Sequence, residues 1–272
     1  TQFLVSAATL VTCAKLGLGY WALVLNAIVS GVVVTLILIR LAPYPIAWPR
    51  EIRSLARPML AGWRVLVSRA GWYGYSNMDQ LLIGRVLGKD ALGAYGFAMT
   101  FAGLPLQEIT SVVSRVVPGV FSEVQANRTE LRRYFLLLTE AMAYLALPAA
   151  IGLALTADRV VHIALGPRWE AVILPFRILC LYYAVYAAQV LVSHVLIWTG
   201  HFRANMWLTL LGVVGLGTGF AITVKAGIVA VAWTWVIAFP LLSVPALILA
   251  ARLLDMRIRE FFAALVPAAL AC

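Results

Sequence analysis

Six ionisable side chains, Arg69, Asp79, Glu108, Glu140, Arg177 and His194, sit within long apolar stretches of this chain. A charge at bilayer depth costs about 3 kcal/mol or more if it meets lipid, so such a group faces a cavity or a partner. The densest set is Arg69, Tyr73, Ser76, Asn77, Asp79 and Gln80. At about 100° per helical residue, with Arg69 at 0°, Tyr73, Ser76, Asn77 and Gln80 fall between about 340° and 80° and Asp79 near 280°. One half of that helix is polar, which suits either a cavity wall or a hydrogen-bonded helix interface. At about 1.5 Å of rise per residue, Asp79 and Arg177 lie roughly 6–8 Å from the outer ends of their helices, close enough in depth to pair. Arg69, Glu108, Glu140 and His194 fall about 6–9 Å from the other ends and make an inner layer. The cations suit a phosphate-bearing substrate. Asp79, Glu108, Glu140 and His194 are the candidates for a coupling ion, while ion pairs between helices or snorkelling side chains would account for the same residues without transport.

These groups need helices to hold them, and the composition supplies little else. Hydrophobic residues make up 63% of the 272, charged residues 12%, and mean hydropathy is +0.95. That leaves too little polar surface to cover a soluble domain. Apolar stretches able to cross a hydrocarbon core, about 20 residues each, fall near 20–39, 65–84, 92–114, 134–156, 173–198, 207–224 and 227–250. Stretches 1–14 and 261–272 are apolar but stop at the chain ends, the pattern of a fragment cut through helices. The expectation is an all-α integral membrane protein, a polytopic helical bundle with short connections and no soluble catalytic domain. The outer loop 157–172 offers only Asp158, Arg159, His162, Arg168 and Glu170, so no enzyme, metal site or cofactor is expected.

Orientation follows the bias of Lys and Arg among the gaps. Alternate gaps hold Arg40, Arg50, Arg53, Arg57 and Arg64, then Arg115, Arg128, Arg132 and Arg133, then Arg203, then Arg252, Arg257 and Arg259. The intervening gaps hold only Lys15, Arg85, Lys89, Arg159, Arg168 and Lys225, so the richer set faces the cytoplasm. Basic charge dispersed over short loops is a topology signal and not a nucleic-acid patch. Cys13, Cys180 and Cys272 read as small buried hydrophobes. Gly212, Gly215, Gly217 and Gly219 lie in an apolar helix, where close packing explains them better than a dinucleotide loop. Asn127-Arg128-Thr129 has the form of a glycosylation acceptor but falls on the cytoplasmic side. Pro105, Pro148, Pro175, Pro240 and Pro245 fall within spans and would permit kinks. A weak repeat relates Gly19-Tyr20-Trp21-Ala22-Leu23 to Gly227-Ile228-Val229-Ala230-Val231, and six helices later the direction is the same, as in transporters with parallel repeats.

Several motifs, in order and spacing, carry a family resemblance. They are Leu18-Gly19-Tyr20-Trp21-Ala22-Leu23-Val24-Leu25, Asn77-Met78-Asp79, Ile83-Gly84-Arg85-Val86-Leu87-Gly88, Leu92-Gly93-Ala94-Tyr95, Arg115-Val116-Val117-Pro118-Gly119-Val120-Phe121-Ser122, then Pro148, Gly152-Leu153 and Leu165-Gly166-Pro167-Arg168-Trp169. The chain resembles the Wzx-like polysaccharide flippases of the multidrug/oligosaccharidyl-lipid/polysaccharide exporter superfamily. That resemblance implies the second lobe of a two-lobed, six-plus-six helix transporter. It would place the last two helices of the first lobe in 1–42, a cytoplasmic basic connection in 43–64, the second six-helix lobe in 65–252 and the start of an additional helix in 253–272. It also implies movement of an undecaprenyl-diphosphate-linked oligosaccharide across the bacterial inner membrane by alternating access, with a polysaccharide polymerase complex as a partner. Arg69 and Arg177 would hold the diphosphate, with Tyr73, Asn77, Asp79 and Gln80 beside it. A small-molecule exporter of the same superfamily and a membrane glycosyltransferase or ligase of the same pathway are the alternatives.

Overall fold

The computed structural model describes residues 9, 12, 21–41, 56–124 and 127–270, and there is no strand among them. Cys13, Lys15, the Leu18-Gly19-Tyr20 turn, Arg50, Arg53 and Cys272 lie outside the described residues, as do the side chains of 115–122. Most of the apolar stretch 1–14 lies outside them too. The chain divides into two compact units, Thr1–Leu55 and Ala56–Cys272.

In the first unit, α1 (Trp21–Leu41) is apolar on every side and carries Arg40 in its last turn. A helix hydrophobic all round has no aqueous face to present, as expected of a membrane span. Two of its polar side chains donate inside the helix: the Thr35 hydroxyl to the Gly31 carbonyl at 2.8 Å and the Ser30 hydroxyl to Asn26 Oδ1 at 3.4 Å.

The second unit runs α2 (Ala56–Val86), α3 (Lys89–Val124), α4 (Arg128–Leu155), the short α5 (Ala157–Ala164), a 3-10 turn (Pro167–Val172), α6 (Ile173–Trp198), α7 (Phe202–Thr223), a second 3-10 turn (Val224–Ala226), α8 (Ile228–Leu253) and α9 (Ile258–Leu270). The helix α6 is the axis of this bundle and packs on α3, α4, α7 and α8. Around it, α2 packs on α7, α7 on α8, α3 on α4 and α4 on α9. One core gathers Ile83, Tyr95, Phe176, Leu179, Phe220 and Trp235, and the other gathers Leu131, Phe135, Met142, Leu191, Leu254 and Phe261, with α6 feeding both. Gly88, at φ 90°, takes a backbone conformation that L side chains rarely adopt, which lets α2 stop and α3 fold back after so short a turn. The Leu87 and Gly88 N–H groups donate to the Ile83 carbonyl there at 2.8 and 3.2 Å.

Among the described residues, five segments are long and apolar enough to cross a membrane: Val24–Leu41, Arg128–Leu155, Pro167–Trp198, Phe202–Ala226 and Ile228–Leu253. The other two expected spans correspond to α2 and α3, which have the length, 31 and 36 residues, but carry more polar side chains. Three boundaries differ from the sequence reading. First, α2 starts at Ala56, so Arg57 and Arg64 are helical and not part of a connection. Its Pro58 sits in the first turn, where the missing N–H has no intrahelical partner to lose. Second, α7 starts at Phe202, because Gly200 at φ 78° makes the break and Arg203 enters the first turn. Third, Pro175 lies in the first turn of α6 and creates no kink, whereas Pro148, Pro240 and Pro245 are interior.

The glycine run does pack closely. A Cβ on Gly215 would lie 2.6 Å from Leu242, one on Gly217 2.8 Å from Met78 Sδ and one on Gly219 2.7 Å from Thr234 Cγ2, so α7 holds α2 and α8 near its backbone. Asn127 has a structural job: its side chain caps α4, accepting from the Thr129 and Glu130 N–H groups at 3.1 and 3.4 Å. Gaps assigned to one face meet gaps assigned to the same face. Arg128 pairs with Asp255 and Arg132 with Glu260 at the basic end, and Trp169 approaches Gly93 at the other.

Candidate functional site: two adjoining cavities

The polar half of α2 divides between two cavities. A groove of about 740 Å³ lies among α2, α6, α7 and α8 and is lined by Ser68, Arg69, Tyr73, Gln189, Ser193, His194 and Asn205 among apolar side chains such as Leu66, Ile197 and Leu208. A cavity of about 550 Å³ lies among α2, α3, α6 and α8 and is lined by Ser76, Asn77, Gln80, Thr100, Gln107, Tyr183 and Trp235. Trp72 and Tyr186 belong to both. Arg69, Tyr73 and Asn77 succeed one another at four-residue spacing and form an exposed stripe. Gly103 makes room for one wall of the smaller cavity, since a Cβ there would lie 2.7 Å from the Tyr183 ring and hydroxyl.

Arg69 and His194 both line the larger groove, and among the described residues no carboxylate lines it. His194 Nδ1 lies 2.9 Å from the Val190 carbonyl, and because a carbonyl only accepts, Nδ1 carries the hydrogen of that contact. The His194 ring rests on Trp198 with centroids 5.2 Å apart. Ser68 is 6% exposed, and its hydroxyl has no hydrogen-bond partner among the described residues.

Asp79 lies behind the wall of the smaller cavity, with 0% exposure. Its Oδ2 accepts from the Tyr95 hydroxyl at 2.7 Å and from Trp235 Nε1 at 2.9 Å, and its Oδ1 accepts from the Gln80 N–H at 2.8 Å. The indole N–H also reaches the Tyr95 hydroxyl at 3.1 Å. One carboxylate thus ties α2, α3 and α8 together and fixes the Trp235 ring, which stands 4.7 Å from the Tyr182 ring. The expected pairing of Asp79 with Arg177 does not occur. Arg177, near the start of α6, pairs with Asp158 at the start of α5, and Asp79 is occupied by three donors that Arg177 does not displace. Arg177 lines neither cavity, nor do Glu108, exposed on α3, and Glu140, half-buried on α4, so the inner layer of four is not assembled.

The groups that sequence reasoning passed over are neutral. Trp72, Gln107, Tyr183, Tyr186, Gln189 and Asn205 line the cavities, while attention to ionisable residues left them aside. A signal existed in Tyr182-Tyr183 and Tyr186, three phenols within five residues of an otherwise apolar helix, with Gln189 one turn on.

A helical bundle of membrane-crossing length with polar chambers inside it defines a multi-pass membrane protein. Residues 1–174 match the family described as polysaccharide biosynthesis protein, and the chain belongs to that family. It is 32% identical over 108 residues to the teichuronic acid biosynthesis protein TuaB of Bacillus subtilis (strain 168), covering 40% of this chain and 22% of that one. It is 27% identical over 108 residues to the lipopolysaccharide biosynthesis protein WzxC of Escherichia coli (strain K12), covering 40% and 22%. It is 27% identical over 162 residues to the succinoglycan biosynthesis transport protein ExoT of Rhizobium meliloti (strain 1021), covering 58% and 32%. The chain therefore matches a third or less of the length of these curated relatives. No solved structure matches it.

Proposed function

We propose that this chain belongs to a flippase that moves an undecaprenyl-diphosphate-linked oligosaccharide from the cytoplasmic to the periplasmic leaflet of a bacterial inner membrane, by alternating access, for cell-surface polysaccharide assembly. Ala56–Cys272 supplies the second lobe of a six-plus-six bundle in this reading. The observation that carries it is the larger groove: a cation, Arg69, lining the same space as His194, with no carboxylate among the described residues and with apolar walls from α6, α7 and α8. An exposed guanidinium with no carboxylate beside it among the described residues attracts an anion, and its planar fork suits phosphate oxygens. The buried, unpartnered Ser68 hydroxyl supports the same reading by offering a donor beside Arg69. Apolar walls beside a cation match a headgroup that is charged at one end and joined to a lipid at the other.

Arg177, held by Asp158, is set aside as a diphosphate ligand. Asp79 is retained as the coupling-ion candidate ahead of Glu108 and Glu140, because it lies behind the cavity wall and bonds Trp235, which lines the smaller cavity. His194 is assigned to the anion groove. A polymerase complex is the partner that a flippase of this kind would feed.

The test is deletion of the gene that encodes this chain, followed by labelling of lipid-linked units with a probe confined to one membrane face. Complete units should accumulate on the cytoplasmic leaflet. Complementation with Arg69→Ala should restore export poorly and Arg69→Lys partly. Units that fail to form, or that reach the periplasm and remain unligated, would make the protein an enzyme of the pathway and overturn the proposal.

A further inference from the structure

We infer that the smaller cavity seats the sugar ring next to the diphosphate, and that it takes an uncharged ring. This rests on the flippase reading and assigns the two chambers separate parts of one substrate. Among the described residues no charged side chain lines the smaller cavity, in contrast to the groove beside it. Its polar atoms are amides and hydroxyls, those of Asn77, Gln80, Gln107 and Thr100 foremost. The Gln80 and Gln107 side-chain amides have no hydrogen-bond partner among the described residues. An amide donates and accepts at once, as a sugar hydroxyl does. Such a lining satisfies a polyol but leaves a uronate without a counter-charge, and a desolvated, unpaired carboxylate is costly.

The walls supply the apolar complement. Trp72 is 48% exposed and lines both chambers, so it offers aromatic surface to the weakly polar C–H face of a pyranose. Below it, Trp235 and Tyr182 are buried and held in place, Trp235 by Asp79, so they form a fixed floor. Asp79 is thereby a positioning residue for this cavity. The cavity's size, about 550 Å³, lies in the usual range of about 300–1,000 Å³ for small-molecule sites. The spacing also fits. Arg69 and Trp72 are three residues apart, about 4.5 Å along the helix axis, close to the separation between a phosphate and the ring it esterifies. A diphosphate at Arg69 would place its first sugar beside Trp72.

The experiment uses the full-length protein in lipid nanodiscs and measures affinity for three probes: undecaprenyl diphosphate, undecaprenyl-diphosphate-glucose and undecaprenyl-diphosphate-glucuronate. The glucosyl lipid should bind about tenfold more tightly than the bare diphosphate, and the glucuronosyl lipid no more tightly than the bare one. A Gln80→Ala/Gln107→Ala double variant, altered only in the smaller cavity, should lose the glucosyl advantage and keep the affinity for the bare lipid, which also reports that it is folded. Arg69→Ala should weaken all three equally. Equal binding of the three by the unaltered protein, a preference for the glucuronosyl lipid, or a glucosyl advantage that survives in the double variant would overturn the sugar seat and leave the flippase reading standing. Binding of none of the three would overturn the flippase reading, and the sugar seat with it.

Discussion

Replacing Asp79 with Ala should destabilise the bundle more than any single exposed ion pair does. The substitution removes the acceptor shared by the Tyr95 hydroxyl at 2.7 Å and Trp235 Nε1 at 2.9 Å, in a site with 0% exposure. Hydrogen bonds between helices in a bilayer are worth about 0.6 kcal/mol on average and up to about 1.7 kcal/mol. Two short bonds converging on one dry carboxylate belong at the upper end, so the loss is about 3 kcal/mol. At about 2–4 °C per kcal/mol for a domain of comparable size, Tm falls on the order of 6–12 °C. Tyr95→Phe removes one of the two donors and should cost about half as much. Asp79→Asn keeps an acceptor oxygen for both donors and sets an amide against the Gln80 N–H, so it should fall between unaltered protein and Asp79→Ala. The assay is thermal unfolding of the purified full-length protein in detergent, followed by intrinsic fluorescence, with Trp235 as one of the reporters. If Asp79→Ala unfolds within about 1 °C of the unaltered protein, or Asp79→Asn is worse than Asp79→Ala, the carboxylate does not tie these helices and its fixing of the cavity floor is wrong.

Further outcomes follow from packing and caps. Gly219→Ala places a Cβ 2.7 Å from a β-branched Thr234 that also bonds Thr223 at 2.9 Å, so it should cost about 1–3 kcal/mol, whereas Gly217→Ala meets the flexible end of Met78 and should cost less. Paired thermal unfolding of the two variants checks that order. Asp255 sits at φ 47° and its ion pair with Arg128 is exposed, so Asp255→Gly should be close to neutral while Asp255→Val should cost about 1–2 kcal/mol. Asn127→Ala removes the cap of α4 and should cost about 1 kcal/mol, with Asn127→Asp neutral, as read by hydrogen exchange in the first turn.

The helices themselves were legible because a bilayer demands long apolar runs, and α6 occupies the residues 173–198 that its hydropathy marked out. Beginnings were less legible. Arg57, Arg64, Arg203 and Asn205 look like loop residues, yet α2 and α7 include them, since a helix can start in a polar region before it enters an apolar one. Helical spacing separated Asp79 from the Arg69 side of α2, and the structure buries Asp79 while Arg69, Tyr73 and Asn77 stay exposed. What helical spacing does not contain is the partner. Tyr95 and Trp235 are 16 and 156 residues from Asp79 in the chain, and nothing local links them. The depth argument paired Asp79 with Arg177 because it used only distance along the helix axis, without the azimuth that sends Arg177 to Asp158. The amides and phenols of α3, α6 and α7, such as Gln107, Tyr183, Tyr186, Gln189 and Asn205, were overlooked for a related reason: they cost less than charges to bury, so they stand out less from an apolar background.

The helix α6 takes part in both hydrophobic cores and lends side chains to both cavities, with Tyr186 common to the two. Such a member works as an axle. A tilt of α6 that widens one chamber must reshape the other in the same stroke, because a close-packed interior transmits displacement and does not absorb it. The two chambers therefore cannot be gated independently by this element. A loosening mutation in the middle of α6 should show its effect on both at once, as correlated changes in solvent accessibility at labels placed in each.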